Sequence, residues 1–66
     1  MADYVDVFRV ETRGVLWLES AATLEGAKVR AKELALGSPG EYIVLDQRTG
    51  NKYAVGPDGI EELPAG

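Results

Sequence analysis

Residues 23–36 are the only stretch of this 66-residue chain in which apolar residues recur at helical spacing. Leu24, Ala27, Ala31, Leu34 and Ala35 share one face, while Glu25, Arg30, Lys32 and Glu33 take the other. A single helix can cover one side of a sheet and no more, so it constrains the whole fold. Thr23 is placed to cap the helix, because its hydroxyl can accept from a first-turn amide that has no helical partner. Glu25 suits the positive end of the helix dipole. Gly37 is expected as a left-handed cap, and Pro39 blocks continuation. Two features sit awkwardly. Gly26 costs up to about 1 kcal/mol relative to alanine. Val29 and Leu36 lie off the apolar stripe, so they belong either beneath flanking loops or in a partner contact.

The rest of the chain reads as two hairpins, one on each side of the helix. Residues 4–11 and 15–20 are rich in β-branched and aromatic side chains. Between them Thr12-Arg13-Gly14 reads as a three-residue loop, with Gly14 supplying a positive φ. Pairing Glu11 with Val15 puts Phe8, Val10, Leu16 and Leu18 on a core face. Residues 41–46 and 51–55 form the second hairpin around Arg48-Thr49-Gly50. An Asp46–Lys52 pair there assigns Ile43, Leu45, Tyr53 and Val55 to the core.

The expected fold is α+β: a β-β-α-β-β domain over residues 1–56, with a four-stranded, mainly antiparallel sheet and one helix packed on one face. Strand orders 2-1-3-4 and 1-2-3-4 both satisfy a right-handed crossover. Residues 57–66 are expected to form an acidic, flexible tail, with a short fifth strand at 60–63 as the alternative. Residues 1–3 and 64–66 are expected to fray.

The composition removes whole classes of chemistry. The chain has no cysteine and no histidine, hence no disulfide, no thiolate site and none of the common zinc ligand sets. Asp58, Glu61 and Glu62 account for most of the net charge of −4. The remainder is nearly neutral and offers no basic face to a phosphate backbone, so nucleic acid is disfavoured. No apolar run approaches the ~20 residues of a membrane span. A cytoplasmic, soluble protein is expected, with no cofactor and no metal.

Candidate sites are correspondingly few. Gly37-Ser-Pro-Gly40 follows a helix, whereas phosphate loops precede one. The Asp46–Asn51 loop lacks the ligand spacing and distal Glu of a calcium site. Asp6, assigned to the core face opposite Ser20, is the one carboxylate with a claim to a raised pKa, and a structural role at the sheet edge is the plainer reading. No catalytic, cofactor-binding or metal-binding residue is assigned.

What remains is the uncovered face of the sheet, assigned Val7, Arg9, Val15, Trp17, Tyr42, Val44 and Ala54. A register slip of one residue would exchange the two faces. With Trp17 as anchor this face is expected to bind a protein partner or a second copy. Two alternatives are a monomeric adaptor that pairs an edge strand and a weak single-stranded nucleic-acid binder that uses exposed aromatics. Neither alternative nor the main reading involves enzymatic activity.

Residues 4–55 resemble short bacterial β-β-α-β-β proteins of unknown function. The shared features are Gly14 and Trp17 in the second strand, and Thr23, Glu25 and Ala27 opening the helix. Residues 31–35 closing the helix and Gly50 turning the last hairpin complete the likeness. Here no glycine directly precedes the tryptophan. The resemblance implies the fold and brings no functional residues.

Overall fold

The computed structural model describes residues 4–64. The fraying expected at residues 1–3 and at Ala65 and Gly66 lies outside the described residues. Strands β1 (Val5–Glu11) and β2 (Gly14–Ala21) form a hairpin, α1 (Leu24–Gly37) follows, and β3 (Tyr42–Asp46), β4 (Lys52–Gly56) and β5 (Gly59–Leu63) complete the chain. They make one sheet in the order β2-β1-β3-β4-β5, with every neighbouring pair antiparallel. Because β2 and β3 both run against the β1 that lies between them, they are parallel to each other. No tight turn can join parallel strands, and α1 supplies the crossover.

The α+β class and the single helix on one sheet face agree with the sequence, and the strand count does not. The sheet has five strands rather than four, because residues 59–63 are a strand rather than an irregular tail. Pro57 and Asp58 form the turn, and Gly59 takes φ 151°. Val55 then meets Ile60 and Lys52 meets Leu63. The acidity that suggested a solvated tail suits an edge strand, where Glu61 and Glu62 discourage pairing with other chains.

The helix start is as expected, with the Thr23 hydroxyl accepting from the Gly26 amide at 3.0 Å. A Cβ at residue 26 would lie 3.0 Å from that same oxygen, a tight contact that the glycine avoids. The end differs. Gly37 is not a left-handed cap but the last helical residue, and the extended Ser38 closes the helix by donating its amide to Leu34 O at 2.7 Å. Among the described residues only Gly14, Gly50 and Gly59 have positive φ.

Ala27, Ala31 and Ala35 lie fully buried against Val5, Val7, Tyr42, Val44, Tyr53 and Val55. Three alanines let the helix backbone come close to the sheet, and the Tyr42 hydroxyl donates to Ser38 O at 2.7 Å, which satisfies the buried phenol. Val29 and Leu36 are exposed rather than tucked beneath loops.

Candidate functional site

Among the described residues, the side of the sheet away from α1 carries no second layer. The strand pairing sets its residues in three rows running from β2 to β5. The first row is Ser20, Asp6, Leu45, Lys52 and Leu63. The second is Trp17, Phe8, Ile43, Ala54 and Glu61. The third is Val15, Val10, Glu41, Gly56 and Gly59, where Val10 donates its amide to Glu41 O at 2.9 Å. Phe8, Val15, Ile43, Leu45, Lys52 and Leu63 line a shallow trough of ≈ 400 Å³ across this face. A second hollow of ≈ 370 Å³ lies over Ala54, Gly56 and Gly59, rimmed by Glu41, Asp58 and Glu61.

The structure divides the residues expected here. Val15, Trp17 and Ala54 are on the open face, and Trp17 is 55% exposed. Val7, Tyr42 and Val44 are not, being buried under α1 with at most 1% exposure. Arg9 also lies on the helix side, where it donates to the Ser38 hydroxyl, pairs with Glu11 at 2.9 Å and sits over the Tyr42 ring. Phe8, Val10, Ile43 and Leu45, assigned to the core, instead form the open face.

Two one-residue errors in register produce the exchange. The first loop has two residues, so Glu11 pairs with Gly14 rather than Val15. In the second hairpin Lys52 pairs with Leu45 rather than Asp46. A slip of one moves every side chain of a strand to the opposite face. Trp17 nevertheless lies where it was placed, because the two-residue loop sets it opposite Phe8, which is itself on the open face. Beyond that pair the β1–β2 register shifts between Val7 and Phe8. Glu19 faces Val7, Trp17 faces Phe8, and the intervening Leu18 is the extra residue of a bulge that packs against the core.

A polar cluster fixes one corner of the face. The Asp6 carboxylate accepts from the Ser20 hydroxyl at 2.6 Å, from the Gln47 amide, and from Trp17 Nε1 at 3.3 Å. The Ser20 hydrogen bond first, then that from Gln47, hold its carboxyl below the usual carboxylate range against the opposing effect of burial, with the Trp17 hydrogen bond contributing least. The raised pKa considered for a core-facing Asp6 is therefore replaced by a lowered one on the open face. Such a carboxylate is a weak base, and its donors leave it a positioning role for the indole. On the far side, buried Asp46 accepts from the Arg48 side chain and backbone, and these bonds hold its carboxyl low as well.

Several other charges are committed on the helix side. Arg30 on α1 donates to Glu19 at 3.0 Å, joining helix to β2, and Lys28 lies over the Tyr53 ring. Among the described residues no three acidic, His or Cys side chains group as metal ligands, and no helix is long and apolar enough to cross a membrane. Comparisons with family models, curated proteins and solved structures return no match.

Proposed function

We propose that this protein is a non-enzymatic, cytoplasmic interaction module that binds a protein partner through the open face of its sheet. The observation that carries the reading is where the chain spends its bulk. No Leu, Ile, Phe or Trp belongs to the fully buried set, which is built from valine, alanine and tyrosine. Phe8, Ile43, Leu45 and Leu63 instead line the uncovered side, next to Trp17. Contiguous apolar surface of this kind marks an interaction site more often than a tolerated exposure. Asp6 adds preorganisation, since an anchor already held in one orientation loses less freedom on binding.

A nucleic-acid platform fits less well. Tyr42 and Tyr53 are buried under the helix, and Arg9 and Arg48 are tied to carboxylates on that same side. The open face keeps two aromatic rings and a lysine, beside an acidic edge. That is a poor setting for a polyanion.

The test is site-specific photo-crosslinking in cell extract. A photoreactive residue replaces Trp17 in one sample and Lys32, on the outer helix face, in another. Crosslinked protein at position 17 and none at 32 is the expected result. Equal capture at both positions, or none at 17, overturns the reading.

A further inference from the structure

We propose that the partner is a second copy of this chain, stacked sheet to sheet about a twofold axis parallel to β3. The inference rests on the open face being an interaction surface, and it adds what fills that surface and in which orientation.

The face has a gradient of bulk from one edge to the other. In the second and third rows the β2–β1 side carries Trp17, Val15, Phe8 and Val10, whereas the β4–β5 side carries Ala54, Gly56 and Gly59, with Glu61 at its edge. A twofold axis along β3, lying between two such sheets, lays β1 over β4 of the second copy and β2 over its β5. Phe8 then meets Ala54 of the second copy, Val10 meets its Gly56, Val15 meets its Gly59, Ser20 meets its Leu63 and Trp17 meets its Glu61. Large side chains enter the ≈ 370 Å³ hollow left by small ones, as close packing requires. Ile43 and Leu45 meet their own counterparts at the centre. An interface in which one patch faces itself is what a twofold dimer demands.

Charge follows the same operation. Asp6 falls over Lys52 of the second copy. The Thr12-Arg13 turn and the Pro57-Asp58 turn lie at the same end of the sheet, so Arg13 falls over Asp58 of the second copy. Among the described residues, Arg13, Lys52 and Asp58 make no ion pair within their own chain. The other in-plane axis, perpendicular to the strands, does the reverse. It sets Phe8 on Phe8 and Trp17 on Trp17, and it presses the Asp6 carboxylate against Val10, which costs desolvation without return.

Area also favours a second sheet. The two longest extents of the molecule, 32 and 23 Å, give a face of roughly 700 Å² in projection, of the order of the ~800 Å² of accessible surface that a specific interface takes from each partner. A second sheet of the same outline covers the whole face, and a single extended peptide does not. Two unfavourable contacts are built in: Glu41 lies in line with β3 and approaches its own counterpart, and the Glu61 carboxylate lies opposite the Trp17 ring of the second copy.

Sedimentation equilibrium of the full chain across a wide dilution range tests the arrangement. The wild type is expected to be a dimer that dissociates on dilution. Arg13→Asp should weaken it about tenfold, since reversal replaces two attractive rim pairs by two repulsive ones. Adding Asp58→Arg should restore it, and Glu41→Gln should tighten it. All three residues are exposed, and circular dichroism checks that each variant folds. A wild type that stays at single-chain mass up to millimolar concentration overturns the second copy. Crosslinking at position 17 would then still report a different partner. A dimer indifferent to Arg13→Asp, or one that the charge swap does not restore, overturns the orientation.

Discussion

Protonating Asp6 removes the charge that strengthens its hydrogen bond to the Trp17 indole, and the chain has no other tryptophan to obscure the result. Its pKa is lowered in the folded state, so the cluster's contribution to stability is complete above the ordinary carboxylate value of about 3.9. That contribution is lost as pH falls through the lowered value, because the unfolded state then binds the proton more readily. Tryptophan emission should accordingly hold steady from neutral pH down to about 4 and shift only below it. Asp6→Asn should shift the emission at neutral pH and flatten the acid transition. An acid transition that survives in Asp6→Asn would place its origin elsewhere, and Asp46, also held low by Arg48, would be the next carboxylate to replace.

At the scale of elements, α1 depends on small residues. Ala31 is fully buried at the middle of the helix–sheet contact, and three added carbons have nowhere to go without separating the layers. Ala31→Leu should therefore destabilise the protein by about 1–3 kcal/mol in urea denaturation. Leu36→Ala removes an exposed side chain and should change stability by less than about 0.5 kcal/mol. Equal effects would mean that the close approach of helix and sheet is not what the alanines are for. The helix was legible because its stripe, cap and boundaries are local and mutually consistent. The strands were legible as strands but not as faces. In β1 and β3 apolar residues stand at both parities, Val7 beside Phe8 and Ile43 beside Val44, so alternation cannot choose between sides. Loop length then decides the register, and one residue of error in each hairpin reversed the assignment of Val7, Tyr42 and Val44. The bulge at Leu18 leaves no mark in the sequence, yet it is what brings Ser20 opposite Asp6. Of the seven residues assigned to that face, Val15, Trp17 and Ala54 lie there. Phe8, Ile43 and Leu45 were missed for the same reason of parity. β5 was readable only through its Pro57-Asp58-Gly59 turn, since Glu61 and Glu62 mask the pattern around Ile60 and Leu63.

For the molecule as a whole, size sets the terms. A chain of about 60 residues buries only ~60% of the surface it exposes when unfolded. Among the described residues the buried apolar cluster of this one numbers nine, three of them alanine. It has no cysteine with which to form a disulfide, and association is the remaining common way to add buried apolar area. If sheet-to-sheet pairing is part of the folded state, stability must depend on concentration, because the dimer dissociates as it unfolds. Each tenfold increase in protein is worth about 1.4 kcal/mol per dimer, half of that per chain, or roughly 3–6 °C in Tm for a domain of this size. Thermal unfolding followed over a hundredfold range of concentration should show that rise in the wild type. Arg13→Asp should show a smaller rise at the dilute end, where more of it is monomeric, and the Arg13→Asp/Asp58→Arg swap should recover the wild-type slope. A midpoint independent of concentration in all three would mean that the small valine–alanine–tyrosine core suffices alone. The apolar face would then be held open for a partner other than this chain.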